Sequence, residues 1–122
     1  MDNAIAKNTA IAHHWFDAFN AHNLEALLAL YADDAVHYSP KLKIRMPETE
    51  GLIAGKPALR TWWQDSFDRL PGLRYHPFNF IVNEHSVFME YRRTVPGEAD
   101  LLVGEVLEIH AGVIVKSRVY HG

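Results

Sequence analysis

The run from Leu101 to Ile109, LLVGEVLEI, carries one carboxylate in an otherwise apolar row. Alternate residues of a β-strand share a face, so Leu101, Val103, Glu105, Leu107 and Ile109 lie together with Glu105 at the centre. A carboxyl group in that setting resists ionisation, because burial disfavours the charged form. Kept neutral it donates a hydrogen bond; beside an imidazolium it stays ionised and orients the ring. Other groups suited to proton chemistry sit at strand positions. His37 and Ser39 share a face of Ala35-Val-His-Tyr-Ser39, and Tyr91 shares one with Val87, Met89 and Arg93. In the last run Val113, Val115, Ser117, Val119 and His121 share a face. Histidine is the best general base available near neutral pH, and Arg93 or Arg118 could supply a cation for Glu105.

Eight histidines raise the question of a metal, yet neither HExxH nor a two-His-one-carboxylate spacing stands out. The absence of cysteine excludes thiolate ligands and disulfides. No glycine-rich phosphate loop or nucleophile elbow is present. The expectation is chemistry without metal or cofactor.

Hydrophobic periodicity supplies the elements that must hold these groups. Ile11, Trp15 and Phe19 recur every four residues, which predicts a helix over 4–20. Asn23 suits the N-cap of a second helix over about 24–33, with Leu24, Leu27, Leu28 and Tyr31 on one face. Ala35–Ser39 is a short strand candidate ended by Pro40. Residues 40–55 hold two prolines, two glycines and mixed charge. They read as a solvated loop with room for a short strand, placed to act as a lid. Lys56-Pro57 opens a third helix bearing Leu59, Trp62, Trp63, Phe67 and Leu70; its adjacent tryptophans predict one in the core or the pocket roof and the other at a subunit contact. The period then falls to two, predicting strands at 73–82, 86–95, 101–110 and 113–121. Helices followed by an antiparallel sheet make an α+β domain.

A chain of 122 residues with 48% hydrophobic composition has the core of one domain, residues 1–122. A net charge of −3 without a Lys/Arg cluster argues against nucleic acid or an anionic membrane as partner. The N-terminal stretch lacks a signal-peptide core, and no apolar run approaches a membrane span. The expected location is the cytoplasm.

Three strings resemble the NTF2-like superfamily, and within it SnoaL-like proteins and ketosteroid isomerase: WFDAFNAHNLEALLALYADDAVHYSP (15–40), GKPALR (55–60) and IVKSRVYHG (114–122). The resemblance implies a cone in which three N-terminal helices close one face of a strongly curved, mainly antiparallel sheet around a pocket for a small, mostly apolar molecule. It also implies a homodimer formed through the outer sheet face. The implied polar set is His37, Ser39, Tyr91, Glu105 and His121. The implied walls are Trp15, Phe19, Tyr31, Trp63, Phe67, Leu107, Ser117 and Val119.

Ketosteroid isomerase sets a carboxylate base against a tyrosine and a protonated aspartic acid. Its tyrosine falls here at Trp15, its base at Ser39, and its protonated acid at or next to Glu105. Two of three groups differ, which disfavours steroid isomerisation by that route. The expected function is binding of a small apolar or carbonyl-containing molecule, with cofactor-independent isomerase, cyclase or dehydratase chemistry by proton transfer beside the carbonyl. His37 is then the favoured base, with Glu105, Ser39 and His121 as its catalytic companions. The competing expectation is a non-catalytic ligand-binding or dimeric accessory module.

Overall fold

Helix α1, Asn3–Asn20, buries Ala12, Trp15, Phe16, Ala18 and Phe19 along one side, the stripe that spacing of three and four produces. A computed structural model describes residues 3–121 of the chain. The Asn20 amide fastens the end of α1 to the sheet: Nδ2 donates to the Tyr75 carbonyl at 2.8 Å, and Oδ1 accepts from the Tyr75 N–H at 2.7 Å. Asn23 caps α2, accepting from the Ala26 N–H at 3.1 Å.

Helix α2 spans only Leu24–Leu28, shorter than its apolar spacing predicts. Tyr31 continues that spacing yet opens strand β1, Tyr31–Tyr38. There it pairs with Ile114 of the last strand. Ladder hydrogen bonds and complete burial of the ring outweigh a further turn of helix, which would leave this side of the sheet unpaired.

The segment after β1 is also more ordered than its composition suggests. Ser39 caps α3, Pro40–Arg45, accepting from the Lys41 N–H at 3.2 Å, with Pro40 in the first turn. A 3-10 turn over Pro47–Thr49 leads to β2, Leu52–Ala54, antiparallel to β1. Leu42 is fully buried and pins the segment down. It is a wall with a helix of its own, so the domain has four helices where the resemblance implied three.

Helix α4, Lys56–Arg69, buries Leu59, Trp63 and Phe67. Strands β3 (Arg74–Val82), β4 (Ser86–Thr94), β5 (Leu101–His110) and β6 (Val113–His121) complete a six-stranded sheet of order β2-β1-β6-β5-β4-β3. Only the β1–β6 pair is parallel. Register shifts in β1, in β3 between Pro77 and Asn79, and in β5 beyond Glu108 bend the strands. The helices cover one face. Among the described residues no helix is long and apolar enough to cross a membrane.

Candidate functional site

Between the helices and the sheet lies a cavity of about 260 Å³. Strand register orders the sheet side of it into rows. Leu107 pairs with Val87 on one side and Ser117 on the other, and Ser117 pairs with His37. The next row is Met89–Glu105–Val119, then Tyr91–Val103–His121, and last Arg93–Leu101. A polar line thus rises through an apolar shell: His37 deep, Glu105 one row up, Tyr91 and His121 next, Arg93 outermost.

Glu105 is 1% exposed. Its Oε1 accepts from the Tyr91 hydroxyl at 2.7 Å. Its Oε2 is buried without a protein hydrogen-bond partner among the described residues. Burial pushes the Glu105 carboxyl up to about 8, although the Tyr91 hydrogen bond acts the other way. Burial, then the neighbouring Glu105, pushes the Tyr91 phenol well above its ordinary range. Neither expected cation reaches this carboxyl: Arg93 Nη1 donates to Glu98 Oε1 at 3.0 Å, and Arg118 pairs with Glu108. Arg118 belongs to the opposite strand parity from Val119, which turns it to the other face.

His37 is held from behind by a directional chain. Trp15 Nε1 donates to the Tyr31 hydroxyl at 3.1 Å, which donates to Ser117 Oγ at 3.1 Å. Ser117 Oγ lies 2.6 Å from His37 Nδ1. An indole N–H can only donate, and each hydroxyl has one proton. Ser117 Oγ, with one proton and two acceptor sites, can serve either tautomer; with Ser117 donating to Nδ1, we assign the ring proton to Nε2. Burial holds the imidazole down at about 4, so it is neutral at pH 7. Ser117→Ala breaks the chain and leaves the buried Tyr31 hydroxyl without its acceptor, a loss of about 1–3 kcal/mol in urea unfolding. Nitrogen-15 NMR of wild-type His37 reads the proton on Nε2; a proton found on Nδ1 would refute the assignment.

The cavity is lined by nine of the residues expected from the sequence: Trp15, Phe19, His37, Ser39, Trp63, Tyr91, Glu105, Val119 and His121. Four others stand behind the lining. Tyr31 and Ser117 orient His37, Leu107 is core beneath it, and Phe67 packs against Phe19 and His22 at ring distances of 5.1 and 4.5 Å. Ser39 spends its hydroxyl on the α3 cap. The two tryptophans expected to diverge, Trp62 and Trp63, both line the cavity, since neighbours on a helix are only about 100° apart.

Sequence reading missed Tyr75, left Lys41 in a solvated loop, and offered Arg93 only as a cation for Glu105, whereas all three line the cavity. Tyr75 stacks on Phe19 at 4.0 Å and tilts against Tyr91 at 4.3 Å. The β3 bulge disturbs its alternation, so no period marked it. Lys41 follows from α3, which the prolines concealed. Arg93 shares the Tyr91 parity and was open to detection.

A model of the SnoaL-like domain matches residues 12–117. The chain belongs to the SnoaL-like family. This SnoaL-like domain is similar to a SnoaL-like protein of unknown function from Burkholderia thailandensis, with 27% identity, 96% of this chain and 95% of that one covered, and a TM-score of 0.86. It shares its fold with an NTF2-like protein of unknown function from Mesorhizobium loti (20% identity, 100% and 96% covered, TM-score 0.82). A candidate ketosteroid isomerase from Kribbella flavida is a third relative in fold (20% identity, 97% and 79% covered, TM-score 0.79). No curated protein matches the chain at a significant level.

Proposed function

We propose that this SnoaL-like domain binds a small, mostly apolar carbonyl compound and moves a proton on a carbon beside the carbonyl, without a cofactor. The observation that carries the reading is Glu105 Oε2, a buried carboxyl oxygen with no hydrogen-bond partner among the described residues, on a side chain that lines the cavity. A group titrating near 8 is matched to taking and returning protons close to neutral pH.

Roles then differ from those first suggested by position. His37 presents an Nε2–H and cannot take a proton there, so it donates to the carbonyl oxygen and stabilises the enolate. Ionised Glu105 takes the carbon-bound proton, the C–H electron pair moves into the enolate, and the new carboxylic acid returns the proton to carbon. Return to a different carbon is isomerisation. Tyr91 steadies Oε1 throughout.

The test is deuterium exchange of the α-protons of small aryl ketones, followed by NMR in D₂O. Exchange above the buffer rate supports the reading. Buffer-rate exchange for every ketone that binds would remove it and favour the non-catalytic binding module, a reading supported by Trp15 and Ser39 standing where ketosteroid isomerase has catalytic groups. Leu102 and the ring of Tyr120, 67% and 50% exposed, lie on the outer sheet face, where Tyr120 pairs with Gly104, the next residue of the same parity as Leu102. They support a homodimer through that face, which sedimentation checks.

A further inference from the structure

The mouth of the cavity differs chemically from its depths. Four cationic side chains line it: Lys41, Arg45, Arg69 and Arg93. Two share one partner, since Arg45 and Arg69 both pair with Asp65, at 3.5 and 2.8 Å, which leaves one positive charge unmatched. Arg93 differs in being buried, and Lys41 in having no carboxylate beside it among the described residues. The Arg93 side chain is only 9% exposed, and its one ion pair is with Glu98, whose own side chain is 48% exposed. A buried guanidinium has five donors in a planar fork suited to a carboxylate. Here the half-exposed Glu98 engages Nη1 alone. Lys41 has no ion-pair partner among the described residues.

His121 joins them. Its Nε2 is buried with no protein hydrogen-bond partner among the described residues. Burial, then Lys41 and Arg93, hold its pKa below the ordinary value, so the three groups feel one another's fields. Burial, then Arg93, does the same to the Lys41 ammonium, with Glu98 opposing. Positive groups crowded at one end of a cavity, one of them buried and already gripping a carboxylate, favour an anion there.

We propose that Arg93, Lys41 and His121 form a carboxylate subsite at the cavity mouth, so that the ligand is a small apolar oxo acid. Its carbonyl lies by Glu105 and His37 and its carboxylate at the mouth. The assignment of the carbonyl rests on the proton-transfer reading; that of the carboxylate does not. Along the strands His121 lies about 7 Å beyond the Glu105 row and Arg93 about 13 Å beyond it, distances that the Glu105 and Arg93 side chains shorten. At about 30 Å³ per water, a cavity of about 260 Å³ suits a molecule of one ring and a short chain. Glu98 occupies part of the subsite as an internal competitor, and an incoming carboxylate displaces it towards solvent.

The probes are 4-oxo-4-phenylbutanoate and its primary amide, 4-oxo-4-phenylbutanamide, which match in size and differ in charge. Calorimetric titration at pH 7 is expected to give about tenfold tighter binding of the acid. Lys41→Gln weakens the acid about threefold and leaves the amide unchanged. Glu98→Gln strengthens the acid about threefold, whereas a purely structural Arg93–Glu98 pair predicts a loss or no change. Both altered residues are at least partly exposed, so the fold survives. Equal affinity for the two probes, binding of neither, or weaker acid binding by Glu98→Gln would overturn the subsite. If the amide binds as tightly as the acid and still exchanges its α-protons, the subsite fails and the proton-transfer reading stands. Preference for the acid without exchange supports the subsite and removes the proton-transfer reading.

Discussion

Glu105→Gln should abolish α-proton exchange to within about one part in 10²–10⁴ of the wild-type rate, the usual contribution of a positioned acid or base, while ligand affinity changes little. Glutamine keeps the shape and still accepts from the Tyr91 hydroxyl, which donates at 2.7 Å, but its amide neither takes nor returns a proton. On the proposed reading the reactive form of Glu105 is the carboxylate. With the acid form favoured until about pH 8, wild-type exchange should climb roughly tenfold per pH unit below that point and level off above it. His37, neutral down to about pH 4, adds no second limb in this range. An unchanged rate in Glu105→Gln, or a rate that falls as pH rises, would show that Glu105 is not the base.

The same carboxyl makes stability depend on pH in an unusual direction. Glu105 titrates at about 8 in the folded chain against an ordinary value of 4.5. Between those values the folded state holds a proton that the unfolded chain has released. The stabilisation is complete below pH 4.5 and is lost as pH rises through 8, on the order of 5 kcal/mol in all. His37 works in the opposite sense. Its folded value of about 4 lies below the ordinary 6.5, so its contribution is present above 6.5 and is lost as pH falls towards 4, on the order of 3 kcal/mol. The two slopes cancel between pH 4.5 and 6.5. From pH 6.5 to 8 only Glu105 acts, and stability drops by about 2 kcal/mol.

Replacing Glu105 with glutamine separates the pair. The variant should gain stability from pH 4 to 6.5 under His37, with His121, whose pKa is also lowered, acting in the same direction, and then stay level. The histidine contributions are common to both proteins. Their difference in urea-derived stability should therefore change by on the order of 5 kcal/mol between pH 4.5 and 8. Parallel pH profiles for the two proteins would show that the carboxyl is not held neutral in the folded state. On the proposed reading, activity and stability should move in opposite directions with pH through one group, because the ionisation that would make Glu105 a base also charges a buried oxygen.

How far such a site is legible in a sequence depends on the range of the interactions that define it. Period-two alternation placed β3 to β6 within a residue or two and set Glu105, Tyr91 and His121 on shared parities, because a strand face is a local consequence of backbone geometry. The same parity turned Glu105 towards the helices, since its row is otherwise Leu, Val, Leu and Ile. Periodicity failed at Tyr31, whose spacing is helical but whose partner, Ile114, is 83 residues away. It failed again over Pro40–Ala54, where a helix and an edge strand depend on Ser39 capping and Leu42 burial more than on any repeat.

From residues alone came the α+β order, the apolar face around Glu105 and a set of groups able to handle a proton. Which group does what was decided only in three dimensions. The Trp15–Tyr31–Ser117–His37 chain joins α1, β1 and β6, and in the tautomer assigned above it would make His37 a donor where its residue type suggests a base. Tyr91 reaches Glu105 across two strands and Arg93 turns away to Glu98, which leaves the carboxyl neutral instead of paired. Protonation state and hydrogen-bond direction depend on which atoms meet across the fold, and on how much water is excluded when they do. Strand parity selected the residues, and long-range contacts assigned their chemistry.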